Sequence, residues 1–137
     1  MLKAALFGTL AALVAVVATF LIGDAVSGPL LVTSPGADAP EELEIGAALI
    51  ATVFGAVVGL GLAALCRRLL SAGAAVFAGI CVVGLIGYGI FSFSASEEVA
   101  TGVWLNAMHI AAAIPIVGAL VRQFDTNADA SSMTGRG

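Results

Sequence analysis

The chain is a succession of long apolar runs separated by short polar breaks. Four runs, 4–22, 45–65, 72–93 and 101–121, contain no Asp, Glu, Lys or Arg and are 19, 21, 22 and 21 residues long. A helix needs about 20 apolar residues to cross roughly 30 Å of hydrocarbon, so each run predicts one membrane-spanning helix. Strands of a lipid-facing barrel would alternate apolar and polar positions over segments of about ten residues, and these runs do not alternate. A helix also satisfies its own backbone hydrogen bonds, which hydrocarbon cannot do for it. The pattern predicts an all-α membrane protein: four transmembrane helices in an up-down antiparallel bundle over 1–123, then a disordered cytoplasmic tail over 124–137. That tail is small and polar, with too little apolar surface to order itself.

The connections differ in character. Residues 23–44 include Pro29, Pro35 and Pro40 with Gly28 and Gly36, which predicts an irregular loop. Its Leu30, Leu31 and Val32 suit either the membrane interface or the side of the bundle. Pro40, Glu41 and Glu42 would begin the second helix well, with acids at the positive end of its dipole. The short link 66–71 forces the second and third spans into a hairpin. Met1, Leu2 and Lys3, with Ala25, Val26 and Ser27 after the first run, also fit a cleaved signal peptide. A signal core is usually about 7–15 apolar residues, and the first run exceeds that, so it reads as a retained span.

Composition agrees with this picture. The chain is 61% hydrophobic and 10% charged, with a mean hydropathy of +1.13, whereas soluble domains carry about 25% charge. Such a chain has too little polar surface to dissolve as a compact monomer. The net charge of −4 argues against nucleic acid, which needs clustered Lys and Arg. Placing both termini in the cytoplasm puts Lys3, Arg67, Arg68, Arg122 and Arg136 on one side of the membrane. Asp24, Asp38, Glu41, Glu42, Glu44, Glu97 and Glu98 then lie on the other. This satisfies the positive-inside rule and predicts a multi-pass protein of the cell membrane.

In lipid, helices associate through close backbone packing rather than through burial of apolar area. The second span carries small residues every fourth position: Ala47, Ala51, Gly55, Gly59 and Ala63. They share one face and predict a helix-packing ridge. The first span offers Ala4, Gly8 and Ala12, and also Ala11, Ala15, Thr19 and Gly23; the third offers Ala75 and Gly79, then Gly84 and Gly87. Such ridges serve packing within the bundle, a homo-oligomer or a larger membrane complex.

Chemistry-bearing residues are few. Asn106 and His109 lie three apart in the fourth span and share a face with Gly102 and Ala113. Neither suits lipid tails, so that face should turn inward. Pro115 removes the hydrogen bond to the Ala111 carbonyl and predicts a kink below His109. A neutral His109 can fix helix register by bonding Thr9, Thr19, Thr52, Tyr88, Ser92 or a free carbonyl. An ionisable group inside the membrane is also a functional candidate, so His109, Asn106 and Tyr88 make up the candidate intramembrane polar site, as a proton relay or ligand site. Haem ligation would need a second axial ligand from a dimer or a partner. No carboxylate pair and no Ser-His-Asp or Cys-His spacing supports catalysis. Met108 and His109 point apart, so no metal site is expected. Cys66 and Cys81 fall at different depths, which disfavours a disulfide. The expectation is a non-enzyme without a cofactor.

Taken in order, several short motifs resemble a known family. These are Leu30, Leu31 and Val32 followed by Pro35 and Gly36; Ile45, Gly46, Ala47 and Ala48; Leu65, Cys66, Arg67 and Arg68; and Leu105 with Met108 and His109. The chain resembles, over about Met1 to Arg122, the small four-helix membrane proteins of actinobacteria known as domain of unknown function 6069. That resemblance implies a topology and no established activity. The leading functional expectation is a small non-catalytic integral membrane protein, an accessory or structural subunit acting through helix packing. The alternatives are an oligomeric small transporter or proton-coupled carrier with His109 and Asn106 on its path, and a redox subunit binding quinone or haem.

Overall fold

The computed structural model describes residues 1–33, 36, 38–96 and 98–134, with side chains through residue 124. Pro35, Glu97 and Arg136 therefore lie outside the described residues. The elements in chain order are α1 (Leu2–Ser27), β1 (Leu31–Val32), β2 (Glu41–Glu42), α2 (Ile45–Leu69), α3 (Gly73–Ala95) and α4 (Val99–Thr134). Four helical stretches, Leu2–Ser27, Ile45–Leu69, Gly73–Ala95 and Val99–Phe124, are long and apolar enough to cross a membrane. They coincide with the four apolar runs. Most extend past them, because a charged residue ends an apolar run without ending a helix.

Two local expectations change. The backbone of α4 continues as helix to Thr134, over most of the stretch expected to be disordered. No Gly or Pro stands between Gly118 and Gly135 to stop it. The loop 23–44 is not wholly irregular: β1 and β2 form a two-stranded antiparallel ribbon pairing Leu31 with Glu42 and Val32 with Glu41. Glu41 and Glu42 are thus strand residues, and α2 begins only after Glu44. The Leu43 amide donates to the Leu30 carbonyl at 2.8 Å, a bond that holds this segment extended. Gly28, at φ 77°, ends α1 in a backbone conformation that favours glycine. The ribbon is tied to the end of α3 by the Thr33 amide, which donates to the Ala95 carbonyl at 3.0 Å. Leu30 is buried among Val16, Leu105 and Met108, so the apolar patch packs on the bundle.

The tightest seam joins α1 to α4. At one end the Met1 amine donates to Gln123 Oε1 at 3.2 Å. A Cβ placed on Gly8 would lie 2.9 Å from the Pro115 carbonyl oxygen and 3.0 Å from the Ala119 Cβ. At the other end Gly23 lies under the Trp104 ring, and Trp104 Nε1 donates to Ser27 Oγ at 2.8 Å. Residue numbers rise along α1 as they fall along α4. The small residues Gly8, Ala12 and Gly23 let the two backbones approach, as close packing in lipid requires.

Two apolar clusters form the interior. One gathers Ala5, Ala12, Ala56, Ala63, Cys66, Phe77, Ile116 and Leu120. The other, under the ribbon, gathers Val16, Leu30, Leu105 and Met108. Outside them the helices present large apolar side chains to the surroundings, among them Phe7 at 74% exposure and Val83 at 70%. Hydrocarbon, not water, is the solvent that suits such a surface.

Candidate functional site

Near the α2–α3 hairpin the packing is dense. A Cβ on Gly73 would lie 2.6 Å from the Cys66 carbonyl oxygen, and the fully buried Phe77 stacks on Phe124 with ring centroids 6.1 Å apart. Beyond Phe77 the two helices stand apart. A crevice of about 710 Å³ lies between them, walled by α2 from Ala47 to Leu62 and by α3 from Phe77 to Tyr88. Its floor is α4, with Leu105, Met108, His109, Ala112 and Ile116. Fifteen residues of helical rise along α2 make it about 22 Å long.

The helix-packing ridge of α2 divides along this crevice. Ala63 is fully buried, and a Cβ on Gly59 would touch Ile116 and Leu120 at an ordinary 3.9 Å. Ala51 and Gly55 instead line the crevice wall, and nothing lies within 4 Å of a Cβ placed on Gly55. A smooth face permits close approach but does not select a partner. The helix that gains from small residues here is α1, against α4.

Of the three polar residues singled out in the sequence, the structure brings two together. The rings of Tyr88 and His109 stack with centroids 3.8 Å apart and planes 26° apart. His109 Nδ1 lies 2.8 Å from the Leu105 carbonyl oxygen of its own helix. A carbonyl only accepts, so Nδ1 carries the proton, and in the neutral ring Nε2 holds the lone pair. His109 does not bond another helix, and Thr9, Thr19, Thr52 and Ser92 each donate to a carbonyl four residues earlier. No buried side-chain nitrogen or oxygen among the described residues lacks a hydrogen-bond partner. Nε2 makes no such bond, so it must face accessible space.

Asn106 does a different job. Its Nδ2 donates to the Gly102 carbonyl at 2.9 Å and to the Gly89 carbonyl of α3 at 3.3 Å. It does not line the crevice with His109; it clamps α3 to α4. Gly89 makes this possible, since a Cβ there would lie 2.7 Å from Asn106 Oδ1. Sequence reasoning missed Gly89, because no period or composition distinguishes it from Gly84 and Gly87. Pro115 sits inside a helix that continues past it, with its carbonyl against Gly8. Cys66 is buried and Cys81 half-buried, and both are free thiols.

A protein-family model described as Family of unknown function (DUF6069) matches residues 1–126. No curated protein matches the chain, and no solved structure does.

Proposed function

We propose that this chain, which belongs to that family of unknown function, is a non-catalytic subunit of the cell membrane that acts by packing its helices against a partner. Its four spans run up and down as an antiparallel bundle with both termini in the cytoplasm. The distribution of basic residues supports this orientation. The partner is a second copy or a larger membrane complex.

The observation that carries this reading is the outer face of α3. Only Gly73, Phe77 and Ser92 of that helix are buried. On the opposite face Gly79 and Gly87 have nothing within 4 Å of a placed Cβ, and Val83 between them is exposed. Two glycines eight residues apart on one helix face bring nothing to a lipid-facing surface, but they let another helix approach closely on either side of Val83. Purification from native membranes in mild detergent tests the proposal. The expected result is a defined companion protein or a stable homo-oligomer, lost on Gly79→Leu with Gly87→Leu. A monomer that keeps its fold and brings nothing along contradicts it. The crevice at His109 favours a second reading, in which the protein also holds a small molecule.

A further inference from the structure

We infer that the α2–α3 crevice is a binding site for a neutral, lipid-soluble phenol carrying an apolar tail, held by a hydrogen bond from its hydroxyl to His109 Nε2. The inference goes beyond the packing role, since it concerns the crevice and not the outer face of α3. Three features carry it.

The first is shape. The crevice of about 710 Å³ falls in the usual size range of small-molecule sites, about 300–1,000 Å³. It runs lengthwise between two helices, with exposed residues such as Ala51, Gly55, Ile80 and Gly84 at its margins. A ligand can therefore enter sideways from the hydrocarbon.

The second is the polarity of its chemistry. Nδ1 of His109 is committed to the Leu105 carbonyl, which leaves Nε2 as an acceptor in a cleft whose other polar side chains are the hydroxyl-bearing Thr52 and Tyr88. The complementary group is a hydroxyl donor. Thr52 lines the same crevice, but its hydroxyl proton is directed to the Ala48 carbonyl at 2.8 Å.

The third is depth. His109 lies ten residues from the start of α4 at Val99, about 15 Å down the helix at 1.5 Å per residue. That places it near the middle of the bilayer. A phospholipid headgroup cannot follow it there, because charged groups are costly at that depth. A single hydroxyl can. Tyr88, 41% exposed and stacked on His109, adds an aromatic wall, so a ring-borne hydroxyl fits better than an aliphatic one.

The test is equilibrium binding of radiolabelled 4-nonylphenol to the protein in nanodiscs, with its methyl ether as the control lacking the donor. The expected result is saturable binding of one phenol per protomer, with the ether at least tenfold weaker. His109→Phe keeps an aromatic ring but removes the acceptor, and should reduce phenol affinity about tenfold. Gly55→Leu fills the crevice wall where nothing obstructs a side chain, and should abolish saturable binding while leaving the helical content unchanged. If His109→Phe fails to fold, the ether comparison and Gly55→Leu decide. Equal binding of phenol and ether, no saturable binding, or full binding to Gly55→Leu overturns the inference. None of these outcomes bears on partner capture by α3.

Discussion

The ring of Tyr88 lies on the ring of His109, centroids 3.8 Å apart, so the one histidine of the chain is held where α3 meets α4. The same two helices are clamped a turn away by Asn106 and the Gly89 carbonyl. Stack and clamp fix α4 against α3 on one side while α1 fixes it on the other. The crevice opens beside this junction, between α3 and α2.

Small residues should therefore differ sharply in tolerance. Gly8→Leu drives a side chain into the Pro115 backbone and should destabilise the fold by about 1–3 kcal/mol, as overpacking does. Gly55→Leu meets nothing and should change stability by less than about 0.5 kcal/mol. Unfolding in mixed detergent micelles, followed by circular dichroism, checks the contrast. Equal losses at both sites would contradict the packing described for α1 and α4.

Asn106→Leu removes the clamp and should cost about 0.6–1.7 kcal/mol, the range of hydrogen bonds between membrane helices. Gly89→Ala pushes Asn106 off the same carbonyl. The two changes share one interaction, so their combined effect should fall short of the sum. A double-mutant cycle in the same unfolding assay measures the shortfall, and strict additivity would show that the clamp carries no energy.

Trp104 is the chain's single tryptophan and reports on the α1–α4 seam. Gly23→Ala places a methyl 2.9 Å from the indole and should displace the ring. Trp104→Phe loses the bond to Ser27, at a cost of about 0.5–1.5 kcal/mol. Emission spectra of Gly23→Ala should shift relative to the parent protein; an unchanged spectrum would mean the ring does not rest on Gly23.

Orientation has its own test. In a background with Cys66 and Cys81 replaced by Ala, Glu42→Cys should react with a membrane-impermeant maleimide on intact cells. Ser71→Cys should react only after permeabilisation. The reverse pattern would place the termini outside.

Most of the helical architecture was legible in the sequence, because length and apolarity alone decide whether a helix can cross hydrocarbon. The ribbon was not. Pro40, Glu41 and Glu42 fit a helix start by local chemistry, and only pairing with Leu31 and Val32, closed by the Leu43–Leu30 bond, makes the segment extended. The site was half legible. His109, Asn106 and Tyr88 were identifiable as polar residues in apolar runs, but their division into a stack and a clamp depends on how α3 turns against α4. The ridge of α2 misled for a related reason. Its spacing describes one helix, whereas packing is a property of two, and the crevice opened where a neighbour was expected.

The proposed packing role requires the outer face of α3 to meet another protein in the membrane. A photo-crosslinking residue at Val83, with one at Phe7 on α1 as the lipid-facing control, tests it in native membranes. The expected result is a discrete protein adduct from Val83 and only lipid adducts from Phe7. Lipid adducts alone from both positions would contradict it.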